Sequence, residues 1–296
     1  MAKGYVEAIK KHSLEVAELE GAKADEFLRL LTALKSTLAG RLQAQGASNT
    51  VDAWQIKRVM NETEAGISVL QHRADVLYRG GVQEAVEMTM EHLAVEIDLL
   101  SGAFDGKALG ITLDAAKALA DPMQGLLANH FATSVQRYGL DLLNGVRQEL
   151  FVGMRAGDSL GDVASRVAGK SGPLGEVSKE TATRLVRTEM SQAFGSAQHS
   201  GIDQAAKKVP GLTKMWIHIG SYQCPVCMPL HGTTRPINGT WTVKSGRKTR
   251  QVAHPPAHPN CVCRVNGMKP SWKKGLEKLG YLDQNPIDPK SKPTSL

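Results

Sequence analysis

The chain has 296 residues, 42% of them hydrophobic and 22% charged, with 36 Lys and Arg against 29 Asp and Glu for a formal charge of +7. That is enough apolar material for a real core and points to two domains, while only 5% aromatics favours helices over a β-rich fold. The opening MAKGYVEAIKK lacks the apolar run of a secretory signal, and no stretch approaches the roughly 18 apolar residues of a membrane span.

The first two hundred residues read as successive helices. Phe27, Leu31, Leu34, Leu38 and Leu42 recur at three and four, one face of a helix. Gly46 to Thr50 breaks it, with Asn49 or Thr50 as a cap for a second helix from about Val51 to Tyr78. Gly80-Gly81 ends that helix, and a third follows with Val82, Val86, Met90, Leu93, Ile97 and Leu100 on one face. Gly102 to Gly110 reads as a loop, followed by helices over Leu113–Leu119 and Met123–Ala156. Gly139, Gly145 and Gly153 each cost the long helix about 1 kcal/mol relative to Ala, enough to allow a bend. Gly157 closes it, Ser159 with Asp162 starts a short helix in the manner of a capping box, and Ser178 caps the next. That last helix places Ala182, Leu185, Ala193 and Ala197 on a buried side and carries Arg187 and Glu189, read as a buried ion pair holding it in place.

After Pro210-Gly211 the pattern changes. Lys214 to Ile219 alternates as a strand does, and Thr240–Val243 and Cys261–Val265 are further short strands. Charge changes with it: from Gly201 onward 15 Lys and Arg face 4 Asp and Glu, a balance of +11 that leaves −4 for residues 1–200. A basic third beside a mildly acidic helical body points to a polyanion or an acidic protein surface, or to no more than solvated lysines. Arg235, Lys244, Arg247, Lys248 and Arg250 form a basic hairpin or loop where phosphate contact and plain solvation are both open.

All four cysteines lie in this third. Cys224 and Cys227 form C-P-V-C, and Cys261 and Cys263 close a second cluster, H-P-N-C-V-C-R. A C-x-x-C turn aims two thiolates at one point, and a second cluster with His at short spacing completes a four-ligand shell. Two disulfides could use the same residues, but a chain without a secretory signal favours thiolate–metal chemistry. A thioredoxin-like role needs a helix after the first cysteine pair, where Pro229, Gly232 and Pro236 follow instead. His231, His254 and His258 raise catalytic zinc, yet open sites keep fewer thiolates. A structural zinc held by Cys224, Cys227, Cys261 and Cys263, with His258 competing for a position, is the reading carried forward. A zinc-supported nuclease of the His-Asn-His type is the alternative raised by His254, His258 and Asn260, against which Pro255, Pro256 and Pro259 oppose the helix such a fold requires. A nucleic-acid-binding module without catalysis is a third.

The order of these parts resembles a known family. A helix with R-x-x-R-T-E (Arg184, Arg187, Thr188, Glu189) precedes a Trp-bearing strand, then C-P-V-C-M-P-L-H-G (Cys224 to Gly232) and P-P-A-H-P-N-C-V-C-R (Pro255 to Arg264). Over about residues 135–266 this is similar to the C-terminal domain of tailed-phage minor head proteins, the Mu F-like head morphogenesis family. The chain departs from the family at Gly220-Ser221-Tyr222-Gln223, where an acidic residue and Arg-Thr are usual. The resemblance implies a non-enzymatic virion component near the portal vertex inside the capsid, assembled in the host cytoplasm without a membrane stage. Its implied partners are the portal protein, the major capsid or scaffolding protein and packaged double-stranded DNA. The expected fold is mainly α. It has an N-terminal helical region over 1–133, a small α+β zinc-stapled domain with short antiparallel strands over 134–268, and a basic, largely irregular tail over 269–296.

Overall fold

The structure is a computed structural model that describes residues 2–44, 51–120, 122–175, 179–219, 224–245, 248–258, 261–280 and 282. The expected break at Gly46–Thr50, the caps at Asn49, Thr50 and Ser178, and the residues Arg247, Pro259 and Asn260 lie outside them. Among the described residues there are seven helices: α1 (Ala2–Ala44), α2 (Ala53–Phe104), α3 (Ala115–Leu119), α4 (Pro122–Ala156), α5 (Leu160–Ala168), α6 (Lys179–Ala206) and α7 (Pro270–Lys278). The strands are β1 (Thr213–Ile217), β2 (Thr234–Arg235), β3 (Trp241–Ser245), β4 (Lys248–Val252) and β5 (Arg264–Met268). The mainly α fold with short antiparallel strands near the C-terminal end is as expected. No described helix is long and apolar enough to cross a membrane.

By packing the chain forms two compact units, each gathered from separate stretches: Met1–Gly21, Gly81–Leu127 and Arg187–Leu296 in one, Ala22–Gly80 and Ala128–Val186 in the other. In the second unit Leu38, Leu42, Val59, Met60, Ile67, Leu142, Val146, Leu150, Val163 and Val167 belong to one core. Phe131 stacks on Tyr78 at 4.4 Å between ring centroids and meets Phe27 edge-on at 6.0 Å. Ser159 caps α5, its hydroxyl accepting from the Asp162 N–H, as the S-x-x-D spacing predicts. Gly139 shows why α4 tolerates its glycines without breaking. A Cβ there would sit 2.5 Å from Ile67 Cγ2, so the missing side chain lets α4 approach α2.

Gly80-Gly81 does not end a helix; α2 runs through it. Two glycines cost about 2 kcal/mol at a helix interior, and burial of Val82, Val86, Met90, Leu93, Ile97 and Leu100 beyond them returns far more. The start of the stretch expected as a largely irregular tail is helical. Pro270 opens α7, whose Trp272 and Leu276 are buried, and Trp272 Nε1 donates to Asp105 Oδ1 at 2.9 Å. A Pro at the first helical position and apolar residues four apart are helix signals that a basic composition conceals.

In the first unit β1 is the centre of a three-stranded antiparallel sheet, order β2-β1-β5, and β3 and β4 form a separate hairpin. Met215, Trp216 and Ile217 are all buried, so β1 is covered on both faces rather than alternating. Lys214 on it is fully buried as well, and burial lowers its amine to about 8. Its Nζ donates to Ala253 O at 2.7 Å and lies 5.2 Å from the Trp241 ring centroid, which ties the hairpin's end to the sheet. Trp241 in turn packs edge-on against Trp216, 5.2 Å between centroids.

Candidate metal centre

The first cysteine pair sits in a tight turn. The N–H groups of Cys227 and Met228 both donate to Cys224 O, at 3.1 and 2.9 Å, and a short 3-10 segment over Met228–Leu230 follows. The turn points both sulfurs at the loop that carries His258, whose Nε2 is 3.1 Å from Cys224 Sγ and 3.1 Å from Cys227 Sγ. Cys261 and Cys263 lie just ahead of β5 rather than inside a strand, yet both reach the same place. Cys227 Sγ is 3.7 Å from Cys261 Sγ, close to the edge of about 3.8 Å for a tetrahedron of sulfurs at about 2.3 Å from a metal.

Two overlapping triads result: Cys224, Cys227 and His258, and Cys227, Cys261 and Cys263, with the donor atoms of each within 4.8 Å of one another. Cys227 belongs to both. All four cysteines are unbridged and buried. The donor set suits a soft or borderline cation. Without one the thiols share protons awkwardly. Hydrogen bonds from Cys227 and Cys263 hold Cys261 far below the usual thiol range, the bond to Cys261 keeps Cys227 protonated, and burial pushes Cys263 up. A divalent cation would replace those protons. The five expected donors are thus brought together, and the cluster could hold a metal ion.

Sequence reasoning missed His218. It follows β1, and its Nδ1 lies 3.1 Å from Cys263 Sγ, placed to donate to a thiolate as outer-shell groups do around bound metals. Its backbone N–H donates to His231 Nδ1 at 3.0 Å. The only local signal was a histidine at the end of a strand leading into C-P-V-C. His254 is buried, its Nδ1 2.6 Å from Pro255 O and its Nε2 3.4 Å from Ser196 Oγ, so it does not face the cluster's ligands as a free base would. Gly195 permits that arrangement, because a Cβ there would overlap Pro255 O.

Beside the cysteines lies a polar network tying α1 and α2 to β5. Arg264, next to Cys263, is buried, and its Nη2 donates to His12 O at 3.1 Å. Around it are Glu20, which accepts from Ser191 Oγ at 3.0 Å, and Glu96, which accepts from Asn266 Nδ2 at 2.5 Å and sits 3.4 Å from His12 Nδ1. Burial raises both carboxyls to about 7 and holds His12 well below its usual value. A cavity of about 150 Å³ lined by Glu20, Ser191, Cys261, Cys263 and Arg264 adjoins the network. Arg187 is half-exposed and meets Glu20 on α1, Nε to Oε2 3.4 Å; Glu189, two residues on and so on another side of α6, is buried. The carboxylate facing Arg187 is therefore one the sequence had not singled out.

Of the basic set, Arg235 is engaged by backbone, donating to Thr234 O at 2.8 Å and Thr240 O at 3.2 Å. Lys244, Lys248 and Arg250 are exposed on the β3–β4 hairpin. Pairing of Val243 with Arg250 and Ser245 with Lys248 puts those two cations on one face of the ribbon and Lys244 on the other. Fold and cluster together define a mainly helical protein with a small antiparallel β-unit and a buried Cys/His centre able to hold a metal ion. No family model, curated protein or solved structure matches the chain.

Proposed function

We propose that this chain is a minor structural component of a tailed-phage head, bound near the portal inside the capsid and acting in head assembly, DNA packaging or genome delivery rather than in catalysis. The observation that carries the reading is the order of motifs: the R-T-E helix, the Trp-bearing strand, C-P-V-C and H-P-N-C-V-C. The meeting of the two cysteine clusters supports it, since a small domain stapled by one ion needs that convergence. The proposed ion is zinc in a closed, structural shell, the common occupant of buried sites built from several thiolates and a histidine. The proposed partners are the portal protein and the major capsid or scaffolding protein.

Heads assembled in a host from the portal, scaffolding and capsid proteins encoded with this chain test the reading. The chain should co-sediment with heads that contain portal and be absent from portal-less ones. Recovery only as free protein would overturn the assignment.

A second reading, compatible with the first, is contact with packaged duplex DNA. No Asp or Glu occurs from Gln204 to Leu276, and Lys244, Lys248 and Arg250 project from the hairpin. Binding of duplex DNA should weaken with salt, and replacing those three residues by Ala should flatten the log–log slope by about 2 to 3, at roughly 0.9 per phosphate contact. An isotherm indifferent to salt would remove this reading.

A further inference from the structure

In the unit containing Ala22–Gly80, α1 and α2 leave an apolar groove of about 220 Å³ between them. Leu38 and Leu70 form its floor, Leu30, Leu34 and Val69 its walls, and Arg41 and Arg73 stand at its rim. Val69 is 55% exposed, and Val76, seven residues on, is 59% exposed. Neither rim arginine has an ion-pair partner among the described residues. Two exposed valines on one helical stripe, flanked by these two cations, are the surface that an amphipathic helix with acidic flanks would cover.

The other unit carries such a helix face. Glu84, Glu87, Met88, Glu91 and Val95 recur at three and four along α2, so they share a stripe. Val95 is 51% exposed and Glu91 has no ion-pair partner among the described residues. We propose that the groove takes this face from a second copy of the chain, with Arg73 and Arg41 meeting Glu87 and Glu91 and the aliphatic walls receiving Met88 and Val95. Rim charges at such a contact select partner and register, while the buried aliphatic side chains supply the affinity.

Sedimentation equilibrium of the full chain, from about 1 to 100 µM, reads the self-association directly. The wild type should self-associate, Arg73→Glu and Glu87→Arg should each weaken it about tenfold, and the double reversal should recover most of the loss because the two changes are coupled. Val69→Asp should abolish association with the helical circular dichroism unchanged. A wild type that stays monomeric, whether or not it binds a different acidic helix, overturns the proposal. So does association that ignores Arg73 and Glu87, or a double reversal no tighter than either single one.

Discussion

Cys227→Ser is expected to be the most damaging single substitution in the chain. Cys227 is the one donor common to both triads, so its loss leaves each triad with two donors and removes the sulfur that joins them. Structural zinc contributes about 10 to 16 kcal/mol of apparent binding energy in small zinc-dependent folds, against about 5 to 15 kcal/mol for the stability of a whole domain. Loss of the ion should therefore melt the sheet and hairpin, roughly residues 213–266, while leaving most helical signal. Trp216 and Trp241, fully buried there, report the change as a red shift in fluorescence. Cys263→Ser should be milder, because five donors serve a shell of four. Equal thermal stability of Cys227→Ser and the wild type would contradict the metal-stapled account.

Arg264→Leu is the second large effect, and its size should depend on pH. Arg264 is the buried cation among Glu20, Glu96 and His12. Glu20 and Glu96 ionise at about 7 in the fold against an ordinary 4.5. A raised carboxyl pKa stabilises the fold fully below about 4.5 and loses that contribution as pH rises through about 7, at most about 3 kcal/mol for each group. His12 works the other way, losing stability as pH falls below 6.5 because its ring is buried neutral. Removing the arginine at about pH 8 strands ionised carboxylates without their buried partner and should cost about 3 to 5 kcal/mol. At about pH 5.5 both carboxyls hold protons and the same substitution should cost much less. Denaturant titrations at the two pH values measure the difference, and an equal loss at both would show that Arg264 acts through packing alone.

These two sites mark where the sequence was informative and where it was silent. The cysteine clusters were legible because a C-x-x-C turn and a H-P-N-C-V-C run keep their donors close along the chain, and only one long-range closure was needed. The helical stripes of α1 and α2 were legible from Phe27 to Leu42 and from Val82 to Leu100 for the same local reason. The first twenty residues of α1 were not. Tyr5 and Ile9 are buried there beside His12, Ser13 and Glu20, and polar residues break an apolar stripe unless their partners are known. Those partners, Glu96, Ser191, Arg264 and Asn266, lie up to 261 positions away and are joined only by folding. His218 was hidden likewise, since its contact with Cys263 spans 45 residues. The continuity of α2 through Gly80-Gly81 shows tertiary burial overriding a local breaker.

The central proposal is that the Cys/His cluster, which could hold a metal ion, takes one zinc that staples the β-unit. Elemental analysis of purified chain, with Cys227→Ser as the control, tests it most directly. The account predicts one zinc per wild-type chain and none in the variant. Wild-type protein with no metal and four freely titrating thiols would contradict it.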